Sequence, residues 1–596
     1  MQDPPPHDSL VEMFENSVAR FGARPLFGTR LDGDSPYRFS TYSEVGARVD
    51  RARAGLAGLG IGAGDAVGII SNNREAWAVV AFAAYGRRAR VVPMYLAERE
   101  EIWRYILQDA SIKVLFVAGE GLAARLAGWV ESFPALVRVL CLDGDGPDSL
   151  AALERAGAAA SVASERPGPD DIAQLIYTSG TTAEPKGVLL SHRNLCTNAW
   201  AGYRRFPELN ERGLSLSILP WAHSYGQTGE LNCFLQFGGA LAMMRSVSTI
   251  PEDMAAARPT YLLAVPRILN RIHDGVRAQL DDRGGIARAL FLDGLEAARR
   301  RRHAREAGRT DPWASLRYHL ADAIAFRAVR KKLGGRLVGV LSGSATLNPE
   351  VCWFFHDIGV PVFDCYGLTE TSPAVTMNST LGFRPGSVGR PIDGVRVLID
   401  PVEGGAGEDG EIVVHGPNVM RGYHAKPAAT AAVMTADGGF RTGDRGRLDA
   451  DGYLYVTGRI KEQFKLENGK YVFPAALEED IRRSAGVANA VVFGAGRPFN
   501  VCLLVPDLPA LERWAQARRL EGRGAALLER APVLTALAAE IEATLRQKYG
   551  SYEIPRRWAW LDADLSVEDG TLTQTMKLKR RVLQERYAEK VEALYR

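Results

Sequence analysis

The segment 174–192, QLIYTSGTTAEPKGVLLSH, combines residue types that bind phosphate groups. A short apolar run, 174–177, is followed by a loop of Gly, Ser and Thr residues, and Lys186 adds a positive charge at its end. Small residues let backbone amides converge on an anion, and the hydroxyls supply further donors, which are the groups that a nucleoside triphosphate requires. The GxxxxGK[ST] spacing of a Walker loop is absent. A Ser/Thr/Gly loop alone is usually a turn, but this order of residues behind a predicted strand favours a phosphate site.

Two further clusters could complete a nucleotide site. In PVFDCYGLTETSP, 361–373, the ring of Tyr366 follows a predicted strand and can stack on an adenine, while Glu370 can hold the Mg²⁺ that accompanies phosphates. Taken alone, Thr-Glu after a glycine is more often the start of a helix. In the third cluster, Asp444 is a candidate acceptor for two ribose hydroxyls and Arg459 a candidate donor to the same sugar. The alternative is that both belong to hairpin loops.

Short apolar runs that alternate with longer amphipathic stretches must position these clusters. Strands alternating with helices predict parallel sheets covered by helices. Most of the runs end in Gly, Ser, Thr or Pro, and ligands gather at the carboxyl ends of strands in such sheets. The apolar runs that we interpret as strands include 66–70, 214–220, 261–266, 337–344 and 361–367.

The composition excludes several classes of protein. The chain has 596 residues, 46% of them hydrophobic and 24% charged, with a formal charge of +3. These values are typical of a soluble protein with at least two domains and argue against a dedicated nucleic-acid binder. The six cysteines form no CxxC pair, so a disulfide framework or structural zinc is not expected. The longest apolar run, 76–86, is too short to span a bilayer, and the first residues lack signal-peptide features. We therefore expect a cytoplasmic protein.

Residues 283–336 differ from the rest because they are strongly basic, with EAARRRRHAREAGR followed by FRAVRKKLGGR. Two interpretations stay open: a solvated helical face, or a peripheral contact with anionic lipid headgroups or an anionic ligand. Beyond about residue 385 the pattern changes to Gly-rich β-hairpins, as in LDADGYLYVTGR. A boundary near 459–461 then leads into a smaller α/β segment.

The three clusters, in this order and spacing, resemble the adenylate-forming superfamily of acyl-CoA synthetases, peptide-synthetase adenylation domains and luciferases. The resemblance spans nearly the whole chain. Within the superfamily the chain looks like a long-chain fatty acid–CoA ligase, as indicated by RPTYLLAVPRILNRIHDGV, 258–276, by the basic insertion after it, and by TQTMKLKRR, 573–581. The implied fold is α/β. A large N-terminal domain, 1–459, would contain helix-covered, mainly parallel sheets and a β-rich part from about 385, and a small mobile α/β domain would follow at 460–596.

The resemblance also implies an activity. The chain would couple a fatty acid to ATP, with Mg²⁺, to form acyl-AMP and pyrophosphate, and would then transfer the acyl group to coenzyme A and release AMP. Nucleic acid is not expected as a partner, and homo-oligomerisation stays open.

The implied roles fall on particular residues. Lys577 would contact both the reacting carboxylate and the α-phosphate, and His223 would lie at the mouth of the acyl pocket. Glu370 and Thr178 would hold Mg²⁺. Lys461 would be the hinge between the domains, and the loop at Asn468 and Gly469 would lie beside the thiol tunnel. The implied catalytic residues are Lys577, Lys186, Glu370 and His223. The implied ATP contacts are Thr178, Ser179, Gly180, Thr181, Thr182, Lys186, Ser344, Tyr366, Gly367, Thr369, Asp444 and Arg459.

The chain departs from the family pattern at one position of the phosphate loop. The family loop usually ends in a glycine where this chain has Ala183. If that position requires a positive φ, the Cβ costs about 1 kcal/mol, which affects efficiency more than identity. Lys579 lies two residues from Lys577, so the choice between them also needs a test.

Other functions fit the sequence less well than a ligase. A ligase that stops at acyl-AMP tends to carry an extra insertion, and no obvious one lies between 461 and 577. An amino-acid-activating domain would need an acidic residue immediately after LPWAHSYG to hold an ammonium group, and this chain has none at that position. A non-catalytic lipid-binding relative would have no need of Lys186, Glu370 and Lys577. GLGIGA, 58–63, fits a dinucleotide fingerprint only formally, because it follows a helical stretch and precedes a strand, and we interpret it as a loop.

We expect Lys577→Ala to impair acyl-AMP formation severely while sparing thioester formation from supplied acyl-AMP. The reason is that the lysine charge offsets the repulsion between two anions only in the first step. Pyrophosphate release and thioester formation, measured separately, check this expectation. Lys579→Ala is measured in the same way, and a selective loss of acyl-AMP formation in that variant instead would assign the role to Lys579. An equal loss in both half-reactions would show that the role is misassigned.

Overall fold

The computed structural model confirms the predicted fold class. Helix-covered sheets with mainly parallel strands form a large N-terminal part, a β-rich unit follows, and a smaller α/β part completes the chain. The structure describes residues 6–178, 184–345, 347–402, 409–484, 486–561, 565–566, 569–572 and 578–596, without the side chains of 281–283 and 461.

The first sheet carries most of the runs that the sequence predicts as strands. Its central strands pair in parallel, and antiparallel strands close both edges. Gly339–Ser342 and Tyr261–Ala264 are buried along their whole length, as expected for strands covered by helices on both faces. In spatial order the strands are Arg390–Pro391, Ala374–Met377, Val362–Gly367, Gly339–Ser342, Tyr261–Ala264, Leu214–Ser217, Ala240–Met243, Pro25–Thr29 and Arg38–Thr41.

The second sheet contains the strands on both sides of the predicted phosphate loop. Ile172–Thr178 pairs in parallel with Arg90–Met94 on one side and antiparallel with Lys186–Ser191 on the other. In spatial order the strands are Gly422–Tyr423, Lys186–Ser191, Ile172–Thr178, Arg90–Met94, Ala66–Ile70, Ile112–Val117 and Arg138–Cys141.

The remaining sheets agree with the predicted change of pattern after residue 385. An antiparallel sheet consists of Arg396–Pro401, Gly410–His415, Phe440–Leu448 and Leu454–Arg459. In the C-terminal part, Val487–Phe493, Val501–Pro506 and Arg557–Trp560 form one sheet, and Phe464–Lys465 pairs with Tyr471–Val472.

The helices begin at side-chain caps in several places. Ser9 accepts a hydrogen bond from the Glu12 amide, and Thr41 and Glu44 form a reciprocal capping box. Throughout the described ranges, each helix is too short or too polar to cross a lipid bilayer. The N-terminal α-helices are Leu10–Phe21, Tyr42–Gly58, Glu75–Tyr85, Glu100–Asp109, Glu120–Leu126, Trp129–Ser132, Leu150–Gly157, His192–Arg204, Ser224–Gly226, Cys233–Gln236, Ile250–Ala257, Pro266–Arg283, Gly285–Glu306, Pro312–Ala321, Arg327–Lys332, Pro349–Asp357 and Pro427–Ala431. The C-terminal α-helices are Pro474–Arg482, Leu508–Ala517, Ala531–Leu545, Arg580–Arg586 and Ala588–Ala593.

Shorter helical segments complete the structure. Residues Gln227–Asn232 and Asp322–Phe326 form π-helical turns, and the second of these joins two helices of the basic insertion. The helical prediction for 283–336 is therefore confirmed. The 3₁₀ segments are Val247–Thr249, Thr369–Thr371, Ile460–Glu462 and Gly524–Leu527.

Buried apolar side chains form separate clusters along the chain. The largest comprises residues from Leu10 to Leu454, while two others comprise residues from Leu477 to Trp560 and from Val491 to Val591. The predicted boundary at 459/460 falls between these groups and stays a prediction.

An ion pair with a buried carboxylate fixes the start of the helix Arg580–Arg586. The Arg580 guanidinium donates to both carboxylate oxygens of Glu478, each at 2.7 Å, and to the Val492 carbonyl at 2.9 Å. Glu478 also accepts from the Val492 amide at 2.6 Å. Because Arg580 lies three positions after Lys577, this pair anchors the polypeptide next to the predicted catalytic lysine.

We expect Arg580→Met to destabilise the C-terminal part by about 3 kcal/mol, because it leaves the Glu478 carboxylate buried without its partner. Urea unfolding followed by the fluorescence of the C-terminal tryptophans measures this change. Arg581→Met is the matched control, since Arg581 is 77% exposed and pairs with Glu585 at the surface. Equal unfolding midpoints for the two variants would contradict the anchoring role.

Candidate functional site

The two ends of the predicted phosphate loop face each other across a strand pair. Thr178 is the last residue of its strand, Lys186 is the first residue of the next, and the two are direct partners in the antiparallel register. The loop is thereby closed at its base, with a hydroxyl and an ammonium group on adjacent backbone positions. Ser179, Gly180, Thr181, Thr182 and Ala183 lie outside the described residues.

The second predicted cluster lies at the carboxyl end of the strand Val362–Gly367. Tyr366 and Gly367 close the strand, and Glu370 lies in the short 3₁₀ turn that follows. The Tyr366 hydroxyl donates to Asp444 Oδ2 at 2.8 Å. Burial, with the negative charge of Asp444, raises the pKa of Tyr366 well above its usual value, so the phenol stays a neutral donor.

The two predicted ribose residues are partners in neighbouring strands. Asp444 is paired in register with Arg459, and the Arg459 Nε lies 2.8 Å from Asp444 Oδ1. The charge of the buried Asp444 carboxylate raises the pKa of Arg459. Within the described part of the chain, Tyr366 and Arg459 each contact one carboxylate oxygen of Asp444. A carboxylate oxygen can accept a second bond, which is the capacity that two ribose hydroxyls require.

Tyr423 connects the phosphate-loop lysine to the predicted Mg²⁺ ligand. Its hydroxyl donates to Glu370 Oε1 at 2.9 Å, and its ring centroid lies 5.0 Å from the Lys186 ammonium. The strand Gly422–Tyr423 pairs with Lys186–Ser191, which places the ring beside the lysine. Sequence reasoning missed Tyr423, because a tyrosine in a two-residue edge strand gives no local signal of its role.

A single cavity of about 760 Å³ joins most of the predicted residues. Its polar end also includes Glu411, Thr442 and Glu462, which the sequence analysis did not identify. Asp444 is buried beside this end. It bonds to Tyr366 and Arg459, and those two residues line the cavity. The predicted residues that line the cavity are Thr178, Lys186, His223, Ser344, Tyr366, Gly367, Thr369, Glu370 and Arg459.

The other end of the cavity is apolar. Helix His192–Arg204 contributes one wall, and the strand ends of the first sheet contribute another. His223 also lines the cavity, and its Nδ1 accepts from the Tyr225 amide at 3.1 Å. Side chains and backbone at the apolar end include Ala199, Gly202, Phe206, Leu209, Cys233, Phe234, Leu263, Leu341 and Met377.

Other predicted residues are not part of the cavity. Asn468 and Gly469 lie in an exposed hairpin turn, where Gly469 has a φ of 80° and the Asn468 side chain accepts from the Lys470 amide at 3.0 Å. The Lys461 side chain is not described, and Lys577 lies outside the described residues.

A pocket at strand ends, with the base of the predicted phosphate loop among its lining, is the geometry expected of a nucleotide-activating enzyme. The chain belongs to the AMP-binding enzyme family, whose model matches residues 14–424. The model of the AMP-binding enzyme C-terminal domain matches residues 461–596.

Curated relatives are similar over nearly the whole chain. Long-chain-fatty-acid–CoA ligase FadD15 of Mycobacterium bovis is 33% identical over 573 residues, which cover 93% of this chain and 92% of that protein. Long-chain-fatty-acid–CoA ligase 1 of Cavia porcellus is 29% identical over 98% of this chain and 86% of that protein. Among solved structures, the adenylation domain of a carboxylate reductase from Mycobacterium chelonae matches with a TM-score of 0.78 at 26% identity, over 99% of this chain and 91% of that one.

We expect Tyr423→Phe to raise the Mg²⁺ concentration for half-maximal activity about tenfold, because Glu370 loses a hydrogen bond to its charged form. Tyr423→Leu also removes the ring beside Lys186 and should raise the KM for ATP by a further few-fold. Pyrophosphate release at varied Mg²⁺ and ATP measures both effects. Tyr37→Phe is the control, since its hydroxyl donates to the Met243 carbonyl away from the cavity. An unchanged Mg²⁺ dependence in Tyr423→Phe would contradict the bridging role.

Proposed function

We propose that this protein is a long-chain fatty acid–CoA ligase that forms acyl-AMP and then acyl-CoA. The observation that carries the proposal is the continuity of the cavity, whose polar end contains Lys186, Tyr366 and Glu370 and whose other end is apolar. A substrate with a charged carboxylate and a long hydrocarbon tail fits such a cavity, with the carboxylate at the polar end and the tail at the apolar end. The names of the curated relatives agree with it.

In the first step a carboxylate oxygen attacks the α-phosphorus of ATP, and pyrophosphate leaves. An anion must approach a polyanion, so the barrier is largely electrostatic. Lys186 would stabilise the outer phosphates, and Lys577 would lie between the carboxylate and the α-phosphate. Asp444 and Arg459 would hold the ribose, and Tyr366 would stack on the adenine.

The polar end also suits Mg²⁺ carried by the nucleotide. Glu370 and Thr178 present a carboxylate and a hydroxyl, and Mg²⁺ prefers oxygen ligands, with phosphates and waters completing its shell. When bound, the ion would offset phosphate charge during the displacement. Within the described part of the chain, His, Cys, Asp and Glu side chains form no group of three or more that could hold a metal.

In the second step the ionised thiol of coenzyme A attacks the acyl carbonyl carbon, the bond from that carbon to the phosphate oxygen breaks, and AMP leaves with the electron pair. We propose that the C-terminal domain, 460–596, turns about Lys461 between the steps, which withdraws Lys577 and brings Asn468 and Gly469 toward the thiol. Such a motion separates the two reactions without altering their chemistry.

The direct test is AMP release by the full chain with ATP, Mg²⁺ and saturated fatty acids of about eight to twenty carbons, with and without coenzyme A. We expect AMP release to require both the fatty acid and coenzyme A. AMP formation with a carrier protein in place of coenzyme A would instead indicate an acyl-AMP ligase. Failure to release pyrophosphate with any fatty acid would indicate a non-catalytic lipid-binding protein, and an optimum at two or three carbons would exclude the long-chain assignment.

We expect Gly202→Leu to shorten the range of accepted acyl chains. Gly202 lines the apolar end, and a Cβ at this position would have only the Met377 Cε at 4.0 Å as a neighbour, so a leucine fits but fills the cavity. Each methylene of the acyl chain that the leucine displaces from the cavity lowers the binding free energy by about 0.8 kcal/mol, which reduces kcat/KM roughly fourfold. Gly275→Leu is the control, since a Cβ there meets nothing within 4 Å on an exposed helix face. An unchanged profile in Gly202→Leu would place the tail elsewhere.

A further inference from the structure

The basic insertion carries an exposed apolar stripe. Trp313, Leu316, Leu320 and Ile324 are 77%, 61%, 54% and 58% exposed, and their spacing of three and four residues places them on one helix face. They lie on Pro312–Ala321 and the π-helical turn that continues it. A contiguous patch of exposed apolar side chains indicates a binding surface for another protein or a membrane, whereas isolated exposed apolar residues do not.

The opposite face of this helix is firmly packed. Ala314, Ala321 and Phe326 are buried, and the Phe326 ring centroid lies 5.1 Å from that of Phe291 in the preceding helix Gly285–Glu306. At Gly294 of that helix an added Cβ would lie 2.4 Å from the Ala321 Cβ, so the two helices approach each other closely. The stripe is therefore an outward face of a rigid helix pair and not a segment that awaits packing within the chain.

Positive charge is concentrated around the stripe. Residues 283–336 contain fourteen Lys and Arg against five Asp and Glu, a net charge of +9, while the whole chain carries +3. Arg327 and Lys331 are exposed, continue the spacing of the stripe, and form no ion pair within the described residues. At the other end, Arg309 is exposed and precedes Trp313 by four positions.

Part of the arginine run in the preceding helix serves packing. The Arg302 Nη1 lies 2.6 Å from Asp357 Oδ1, and its Cζ lies 3.8 Å from the centre of the Trp353 ring. The Arg301 Cζ lies 4.1 Å from the centre of the Tyr318 ring. These arginines hold the helices together, whereas Arg309, Arg327 and Lys331 are exposed cations near the two ends of the stripe.

We propose that the stripe of Trp313, Leu316, Leu320 and Ile324 docks on an anionic lipid bilayer, with the helix lying in the interface plane. The apolar side chains would enter the boundary of the acyl chains, and the flanking cations would contact the headgroups. Tryptophan is favoured at that depth because its ring is apolar and its N–H is polar. A second copy of the chain fits less well, since it would bring one net charge of +9 against another. The proposal does not depend on the ligase activity.

The test is flotation of the full chain with vesicles. We expect it to bind vesicles of phosphatidylglycerol and phosphatidylcholine and to bind pure phosphatidylcholine about tenfold or more weakly. Raising NaCl from about 0.1 M to about 0.5 M should weaken the binding. Absence of binding to the anionic vesicles at the lower salt concentration would overturn the proposal.

Two variants separate the apolar and ionic contributions. The apolar variant combines Leu316→Gln with Leu320→Gln, and the ionic variant combines Arg327→Gln with Lys331→Gln. Each double variant should reduce binding to anionic vesicles about tenfold or more. The matched controls are Leu31→Gln with Leu381→Gln and Arg513→Gln with Arg523→Gln, which alter exposed leucines and arginines elsewhere. All four should keep the wild-type melting temperature, because the altered side chains are exposed. Equal losses in variant and matched control would overturn the assignment of this face.

A fluorescent label reports whether the stripe enters the lipid. The six natural cysteines are buried, so Leu320→Cys supplies an accessible thiol for an environment-sensitive dye. We expect its emission to shift to the blue on anionic vesicles, while the same dye on Leu31→Cys stays unchanged. Vesicle binding without a shift at position 320 would overturn the docked orientation. A stripe variant that converts a dimer to a monomer in light scattering would assign the face to self-association instead.

Discussion

The contacts of Tyr423 join groups that belong to different sheets, and the polar end of the cavity depends on that junction. Tyr423 and Lys186 lie on neighbouring strands of the second sheet, whereas Glu370 follows a strand of the first. The hydroxyl bond to Glu370 and the ring contact to Lys186 therefore fix the separation of a cation and an anion across the cleft. A binding site for a polyphosphate needs both charges close together yet not neutralising each other directly. A neutral phenol between them satisfies that requirement.

Fixed hydrogen-bond partners also orient the charged group at the place where we propose that the ribose binds. A buried carboxylate such as Asp444 would be costly alone, but Arg459 and Tyr366 each bond one of its oxygens. Because these bonds come from a strand partner and from the end of a strand in the first sheet, the carboxylate is oriented before any hydroxyl reaches it. Groups that are oriented in advance need little reorganisation during reaction, and this is how fixed charges contribute most to catalysis.

Much of the fold could be predicted from the sequence because apolar runs and turn residues act locally. The runs at 66–70 and 361–367 become strands, and the basic segment becomes helices, as their length, flanking turn residues and side-chain pattern indicate. Residues placed at strand ends, such as Glu370, could be predicted for the same reason. Tyr423 could not, because its role arises from pairing with a strand more than 200 residues earlier in the chain. The two-ended cavity likewise arises from long-range packing, which local patterns do not encode.

The distribution of charge gives the basic insertion a place outside the reaction chemistry. None of the residues 283–336 that the structure describes lines the cavity, although this segment carries +9 and the rest of the chain is net negative. A cationic surface away from the cavity does not help to hold a nucleotide at the strand ends and would attract polyanions to the wrong place. Arg301 and Arg302 stack on aromatic rings, so part of that positive charge takes part in packing between helices. The charge left exposed lies beside apolar side chains, and that combination suits an extended surface of lipid better than a small anion, because a small anion has no use for the exposed hydrocarbon.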